Sequence, residues 1–326
     1  MTDLAFTAED WPLAQPFHFA GFSVVALEVI HVHLTSGAHQ GQGEGVIPIV
    51  FAATMDQAKA QLAQAASAMA AGQTADAACA ALPPGAARNA FDCALWDLRA
   101  KSTGRTIWDL AGLAAGPAAL EVDQTIGIAT PDEMADAARI SGHLVLKIKA
   151  DADLVIERLR AIRLARPDAA LIVDANQSWT PALLRHVAPG LADLGVAMIE
   201  QPLRVGQDGE LRGYASPVPL FADESCHTRA DLPGLVGLYQ GINIKLDKSG
   251  GLTEALALAR AARSVGMGVM VGCMAGTSLS MAPAFVIGTL SDWSDLDGPL
   301  LLASDRPAAM TYANGTLSQF TPALWG

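Results

Sequence analysis

Five charged residues close short apolar runs at nearly even intervals, and this narrows the fold more than any other feature of the chain. Lys149 follows Leu144–Ile148, Asp174 follows Leu171–Val173, Glu200 follows Ala197–Ile199, Asp223 follows Leu220–Ala222 and Lys245 follows Ile242–Ile244. The intervals between them are 25, 26, 23 and 22 residues. Each fits one strand, one helix and their connections. Amphipathic or Ala-rich stretches lie between the runs, at Leu154–Ala165, Pro181–Leu194 and Leu252–Val265. Thr125–Ile128 precedes the series, and Gly268–Val271 and Ser294–Leu296 follow it. Eight strands alternating with helices predict an α/β fold with a parallel sheet closed into a (β/α)8 barrel. All five charged residues would then stand at the C-terminal mouth, where barrels of this kind build their sites.

The first hundred residues read differently, as an α+β capping domain. Phe17–Phe22 and Val24–Leu34 have strand character, as does Val46–Phe51. Gly41-Gln-Gly-Glu-Gly45 lacks the Lys-Ser/Thr of a phosphate-binding loop and is expected to be a hairpin turn. Met55–Ala71 and Pro84–Lys101 read as helices; in the second, Ala87, Phe91, Ala94, Leu95 and Leu98 recur at helical spacing. The expected division is a cap over 1–115, a barrel over 116–300 and a C-terminal segment over 301–326 that returns to the cap.

Composition excludes several classes of function. Apolar residues make up 51% of the 326 and charged residues 17%, enough apolar matter for a large core. A net charge of −12 disfavours nucleic acid and anionic membrane surfaces. Ser264–Leu290 carries no charge, but its glycines, hydroxyls and Pro283 suit a buried strand, loop and helix better than a membrane span. Cys79, Cys93, Cys226 and Cys273 form no CxxC pair and read as reduced thiols. No Lys or Arg precedes Lys59, so the basic start of a secretory signal is missing and a cytoplasmic location is expected.

The strand-end residues suggest a chemistry. Asp174, Glu200 and Asp223 come from three successive strands, and carboxylates gathered at a buried mouth repel unless they share a cation. Oxygen donors without Cys or His favour Mg2+, then Mn2+. Lys147 and Lys149 alternate along the second strand and share its inner face. Lys245 ends the sixth strand, opposite the second in a ring of eight. Lys149 and Lys245 would face each other across the cavity beside the metal. A carbon acid between them could lose a proton to one and regain it from the other, which inverts a stereocentre. The cation would stabilise the enediolate formed on the way.

Taken together, these segments resemble the enolase superfamily, within it the muconate-lactonizing subgroup. The motifs are Pro84–Leu98, Leu146-Lys-Ile-Lys149, Val173-Asp-Ala-Asn-Gln-Ser-Trp179, Ile199-Glu-Gln-Pro202, Ala222-Asp-Glu-Ser225 and Asn243–Gly251. Asp295-Leu-Asp297 resembles the Asp-x-Asp motif of the dipeptide epimerases, L-Ala-D/L-Glu epimerase among them. The resemblance implies that Lys149 and Lys245 are the two bases and that Asp174, Glu200 and Asp223 bind Mg2+. It further implies that Lys147 contacts the substrate carboxylate, Asp295 and Asp297 hold its α-ammonium, and Thr125 and Cys273 touch the peptide. The implied substrate is an L-Ala-L-X dipeptide. Family members acting on Ala-Glu carry an arginine in the first loop of the cap. His18–Val25 has neither Arg nor Lys, so a neutral or hydrophobic X is expected. The alternatives are L-Ala-D/L-Glu epimerase proper, o-succinylbenzoate synthase, N-succinylamino acid racemase, a cycloisomerase, or an inactive metal-binding homologue. Gly268–Met274 lacks the His of the sugar-acid dehydratases, and Ser225-Cys-His227 has no GxSxG elbow to support a hydrolase.

Overall fold

The structure, a computed structural model, describes residues 2–19, 22–47 and 53–326, and leaves the side chains of 17–19, 22 and 23 undescribed. The chain opens with a three-stranded antiparallel sheet, β1 (Thr2–Phe19), β2 (Phe22–Ser36) and β3 (His39–Val46), in that order. The first strand thus begins fifteen residues before the apolar run at Phe17; Thr2–Pro16 mixes polar and apolar residues and is held by its antiparallel pairing with β2 rather than by an apolar run. The segment expected as a strand at Val46–Phe51 supplies only Val46, the last residue of β3; 48–52 lie outside the described residues.

Gly41–Gly45 is not a turn but the body of β3. The turn is at Gly37-Ala38. Three helices complete the cap: α1 (Met55–Ala70), α2 (Ala75–Ala80) and α3 (Ala86–Thr103). The glycines are needed because α3 lies directly on the strand. A Cβ at Gly41, Gly43 or Gly45 would stand 2.4, 2.2 or 2.1 Å from the carbonyl oxygens of Ala94, Ala90 and Ala86 respectively. Strand spacing of two meets helix spacing of four, residue for residue. Gly43→Val should destabilise the protein by about 3 kcal/mol, since neither backbone can yield. Gly37→Ala, whose Cβ meets nothing within 4 Å, should cost about 1 kcal/mol from its left-handed backbone alone. Thermal denaturation of both variants checks the contrast; equal losses would remove the packing explanation.

After α4 (Ile107–Ala111), the short β4 (Ala119–Glu121) pairs with a C-terminal hairpin. Eight parallel strands then follow in sequence order, each hydrogen-bonded to its neighbours, with one register shift between the seventh and eighth strands of the chain at Leu171/Ile172. They are β5 (Gln124–Ile126), β6 (Val145–Lys149), β7 (Ala170–Asp174), β8 (Val196–Glu200), β9 (Leu220–Ala222), β10 (Gly241–Lys245), β11 (Gly268–Gly272) and β12 (Trp293–Ser294). The sheet curls until its edges meet, with Asp123 N–H donating to Ser294 O at 3.0 Å. Helices α5 (Pro131–Ile140), α6 (Val155–Ala165) and α7 (Pro181–Asp193) follow β5, β6 and β7; a 3-10 turn at Asp208–Leu211 stands in place of a helix after β8; α8 (Leu232–Leu235) follows β9, α9 (Leu246–Ser249) and α10 (Leu252–Ser264) follow β10, and α11 (Ser278–Gly288) follows β11. Ser264–Leu290 resolves into the end of α10, β11 and α11, and none of the described helices is long and apolar enough to cross a membrane.

Strand alternation sorts the core. On β6, Leu146 and Ile148 point outward into the layer beneath the helices, while Val145 joins Ile172, Met198, Phe221 and Met270 in an apolar plug inside the ring. Lys147 and Lys149 continue the inward face above that plug. The cap is tied to the barrel by buried polar groups. Glu44 accepts from Thr277 N–H at 2.9 Å and from Arg306 at 2.7 Å. Asp247, two residues beyond Lys245, accepts from Val46 N–H at 3.0 Å and Asn89 Nδ2 at 2.7 Å.

Candidate active site

The inward-facing ends of β6 to β10 meet in one buried layer of charge. Asp174 and Glu200 are paired neighbours on β7 and β8, and Asp223 stands one residue beyond the end of β9. All three are essentially without solvent exposure. Amines run between them. Lys149 Nζ lies 2.7 Å from Asp174 Oδ2, and Lys147 Nζ lies 3.1 Å from the same oxygen and 2.9 Å from Glu200 Oε2. Lys245 Nζ lies 2.7 Å from Asp223 Oδ2. Lys149 and Lys245 enter from the second and sixth barrel strands, yet the Asp174 carboxyl feels both. Burial would raise its pKa, but Lys149, Lys147 and Lys245 together hold it well below the usual carboxylate range. Asp223 is likewise held low against burial, by Lys245 and Lys248. Glu200 has weaker compensation: burial and Asp174 push it up to about 7.

Residues that the sequence reading passed over complete the layer. Asn243 Nδ2 donates to Glu200 Oε1 at 2.6 Å, and Lys248 Nζ sits 2.5 Å from Asp223 Oδ1. Asn176 Oδ1 accepts from Lys149 at 3.1 Å. The signal for Asn243 was available, since it shares the inner face of its strand with Lys245 at a spacing of two. Lys248 sits on a helix after the strand, where strand periodicity gives no hint.

Asp295 and Asp297 lie just beyond β12 rather than on it; Asp297 stands at the start of a 3-10 turn at Gly298–Leu301 without a side-chain capping bond to it. Lys147 Nζ donates to Asp295 Oδ2 at 2.5 Å, and Thr125 N–H donates to Asp297 Oδ2 at 2.7 Å. Half-buried Cys273 completes a trio whose donor atoms lie within 4.8 Å of one another. These three are poor candidates for a hard metal. Burial and both carboxylates hold the thiol in its protonated form, and Lys147 already neutralises Asp295. Two carboxylates beside a neutral thiol suit an ammonium instead. Asp174, Glu200 and Asp223 fit a divalent cation better. They offer only oxygen, and Glu200 Oε2 is fully buried, with the Lys147 ammonium 2.9 Å away but no aligned hydrogen bond to satisfy it. Within His18–Val25, residues 20 and 21 and the side chains of 18, 19, 22 and 23 lie outside the described residues.

Residues 1–112 match the mandelate racemase/muconate lactonizing enzyme N-terminal domain, and residues 130–317 match the enolase C-terminal domain-like family. The chain belongs to the mandelate racemase/muconate lactonizing enzyme family. Within this family it is 44% identical over 312 residues to the L-Ala-D/L-Glu epimerase of Escherichia coli K12, covering 95% of this chain and 97% of that one. A solved enolase family member from Agrobacterium tumefaciens, with homology to dipeptide epimerases and with sodium and L-Ala-L-Glu bound, superposes with a TM-score of 0.93. It is 39% identical, and the match covers 100% of both chains. The dipeptide epimerase of Enterococcus faecalis V583, solved with Mg and L-Leu-L-Tyr, gives a TM-score of 0.89 at 26% identity, over 97% of this chain and 96% of that one.

Proposed function

We propose that this enzyme is a Mg2+-dependent dipeptide epimerase that inverts the α-carbon of the second residue of L-Ala-L-X dipeptides. The observation that carries this reading is the convergence of Lys149 and Lys245, from opposite strands, on the carboxylate layer. A substrate seated between them presents one face of its α-carbon to each amine. One lysine takes the α-proton, and the other returns a proton to the opposite face. Asp174, Glu200 and Asp223 would hold the Mg2+, whose charge, when bound, offsets the negative charge that develops on the substrate carboxylate. Lys147 stands among the same groups and would pair with that carboxylate. Asp295 and Asp297, with Thr125 N–H fixing the second, would receive the α-ammonium, and Cys273 would line the peptide.

This ammonium site separates a dipeptide epimerase from cycloisomerase or o-succinylbenzoate synthase chemistry, whose substrates bring no such group. For X, the absence of Arg and Lys from His18–Val25 supports a neutral or hydrophobic residue. A second reading, L-Ala-L-Glu itself, is favoured by the 44% identical relative and by the dipeptide bound in the Agrobacterium structure.

Incubation with Mg2+ and a panel of L-Ala-L-X dipeptides in deuterated water decides among these. Deuterium should enter the α-position of the C-terminal residue, with the D epimer accumulating. No exchange in any dipeptide would end the epimerase reading. A strong preference for Ala-Glu over Ala-Phe and Ala-Leu would replace the neutral-X reading with the second.

A further inference from the structure

One buried acid near the ammonium pair has no part in the mechanism above. Asp123 stands one residue before β5 and two before Thr125, the partner of Lys147 across β5 and β6, so it continues the inward-facing series of Thr125. It is 1% exposed, and neither carboxyl oxygen meets a hydrogen-bond donor. The groups facing it are Asp295 and Asp297 from beyond β12 and Lys147 from β6. Lys147 is already engaged with Asp295, Glu200 and Asp174. An ionised carboxylate so placed would be buried, without a donor and beside two others, which is strongly unfavourable. A carboxylic acid there is tolerable, and the neighbouring Asp295 carboxylate would accept its single O–H. Its backbone is also joined to the same segment, since its N–H donates to Ser294 O, the residue before Asp295.

We propose that Asp123 is a positioning residue that shares a proton with Asp295 and so aims that carboxylate at the substrate's α-ammonium group. The inference rests on the dipeptide epimerase reading. Burial, Asp295 and Asp297 all push the Asp123 carboxyl well above the usual carboxylate range, consistent with the proton staying on it. Charge then matches around a docked dipeptide. Asp295 and Asp297 face Lys147 and the ammonium, and the third acid adds no excess negative charge.

The test uses the intact Mg2+-loaded enzyme. Asp123→Ala should raise KM for L-Ala-L-X roughly tenfold or more, the loss expected for a hydrogen bond to a charged group, with kcat changed less than about threefold. Asp123→Asn still presents an N–H to Asp295 and should recover most of that loss. In an Asp295→Asn background, Asp123→Ala should add no further rise. Independently of turnover, the infrared difference spectrum of parent minus Asp123→Asn at neutral pH should contain the carbonyl stretch of a protonated carboxylic acid. An unchanged KM in Asp123→Ala, a full additional rise in the Asp295→Asn background, or absence of that band would overturn the proposal. If the parent exchanges no dipeptide at all, the functional reading fails separately, and the infrared band still decides whether Asp123 holds a proton.

Discussion

Lys245→Ala and Lys149→Ala should each lose net epimerisation by about a thousandfold, within the range for removing a general acid or base. The more informative result is what each variant keeps. A two-base inversion divides the labour by face, so either lysine alone can still remove and return a proton on its own side. Each variant should therefore exchange the α-hydrogen of one epimer with deuterated solvent and leave its configuration intact. The two variants should retain opposite epimers. Unfolding would not explain such a result, because Asp223 keeps Lys248 at 2.5 Å when Lys245 is removed, and Asp174 keeps Lys147 at 3.1 Å when Lys149 is removed. Exchange of the same epimer by both variants, or undiminished turnover by either, would exclude the paired-base mechanism.

The barrel was legible because its strands are short apolar runs, most of which end in charge. That pattern survives any choice of helix boundary, and each of the eight runs corresponds to a strand. The inner faces were legible for the same reason: a spacing of two on β6 puts Lys147 and Lys149 on the side away from Leu146 and Ile148. The cap was harder. Gly41, Gly43 and Gly45 look like a turn because glycine usually marks one, and only the approach of α3 shows why a strand needs them there. Side-chain partners across the ring were also invisible in sequence. Asp123 and Asp295 are 172 residues apart and meet only because the first and eighth strands close the barrel. Lys248 reaches back to Asp223 from a turn of helix whose direction no strand period could give.

Asp223→Asn and Glu200→Gln should both abolish the stabilisation conferred by Mg2+ while affecting the metal-free protein in different ways. A ligand present at a hundred times its Kd raises stability by about 2.7 kcal/mol, so the parent should show a clear rise in Tm with excess Mg2+. Each variant removes one anionic ligand of three and should show little or none. Without metal, Asp223 is the partner of two buried amines, Lys245 and Lys248, and its replacement leaves both short of a counter-charge. Breaking a buried pair on one side costs about 3 to 5 kcal/mol, so Asp223→Asn should melt far below the parent. Glu200 stands in a different balance. Its Oε1 is already served by Asn243, its Oε2 has Lys147 at 2.9 Å but no aligned hydrogen bond, and burial with Asp174 beside it brings its pKa to about 7. Loss of that charge should change metal-free stability by only about 1 kcal/mol. Thermal melts with and without Mg2+, with calorimetric titration of the ion, read both effects. A Glu200→Gln protein that still gains stability from Mg2+ would show that the ion does not bind where Asp174, Glu200 and Asp223 meet. Glu200 would then be a structural carboxylate held by Asn243 and Lys147.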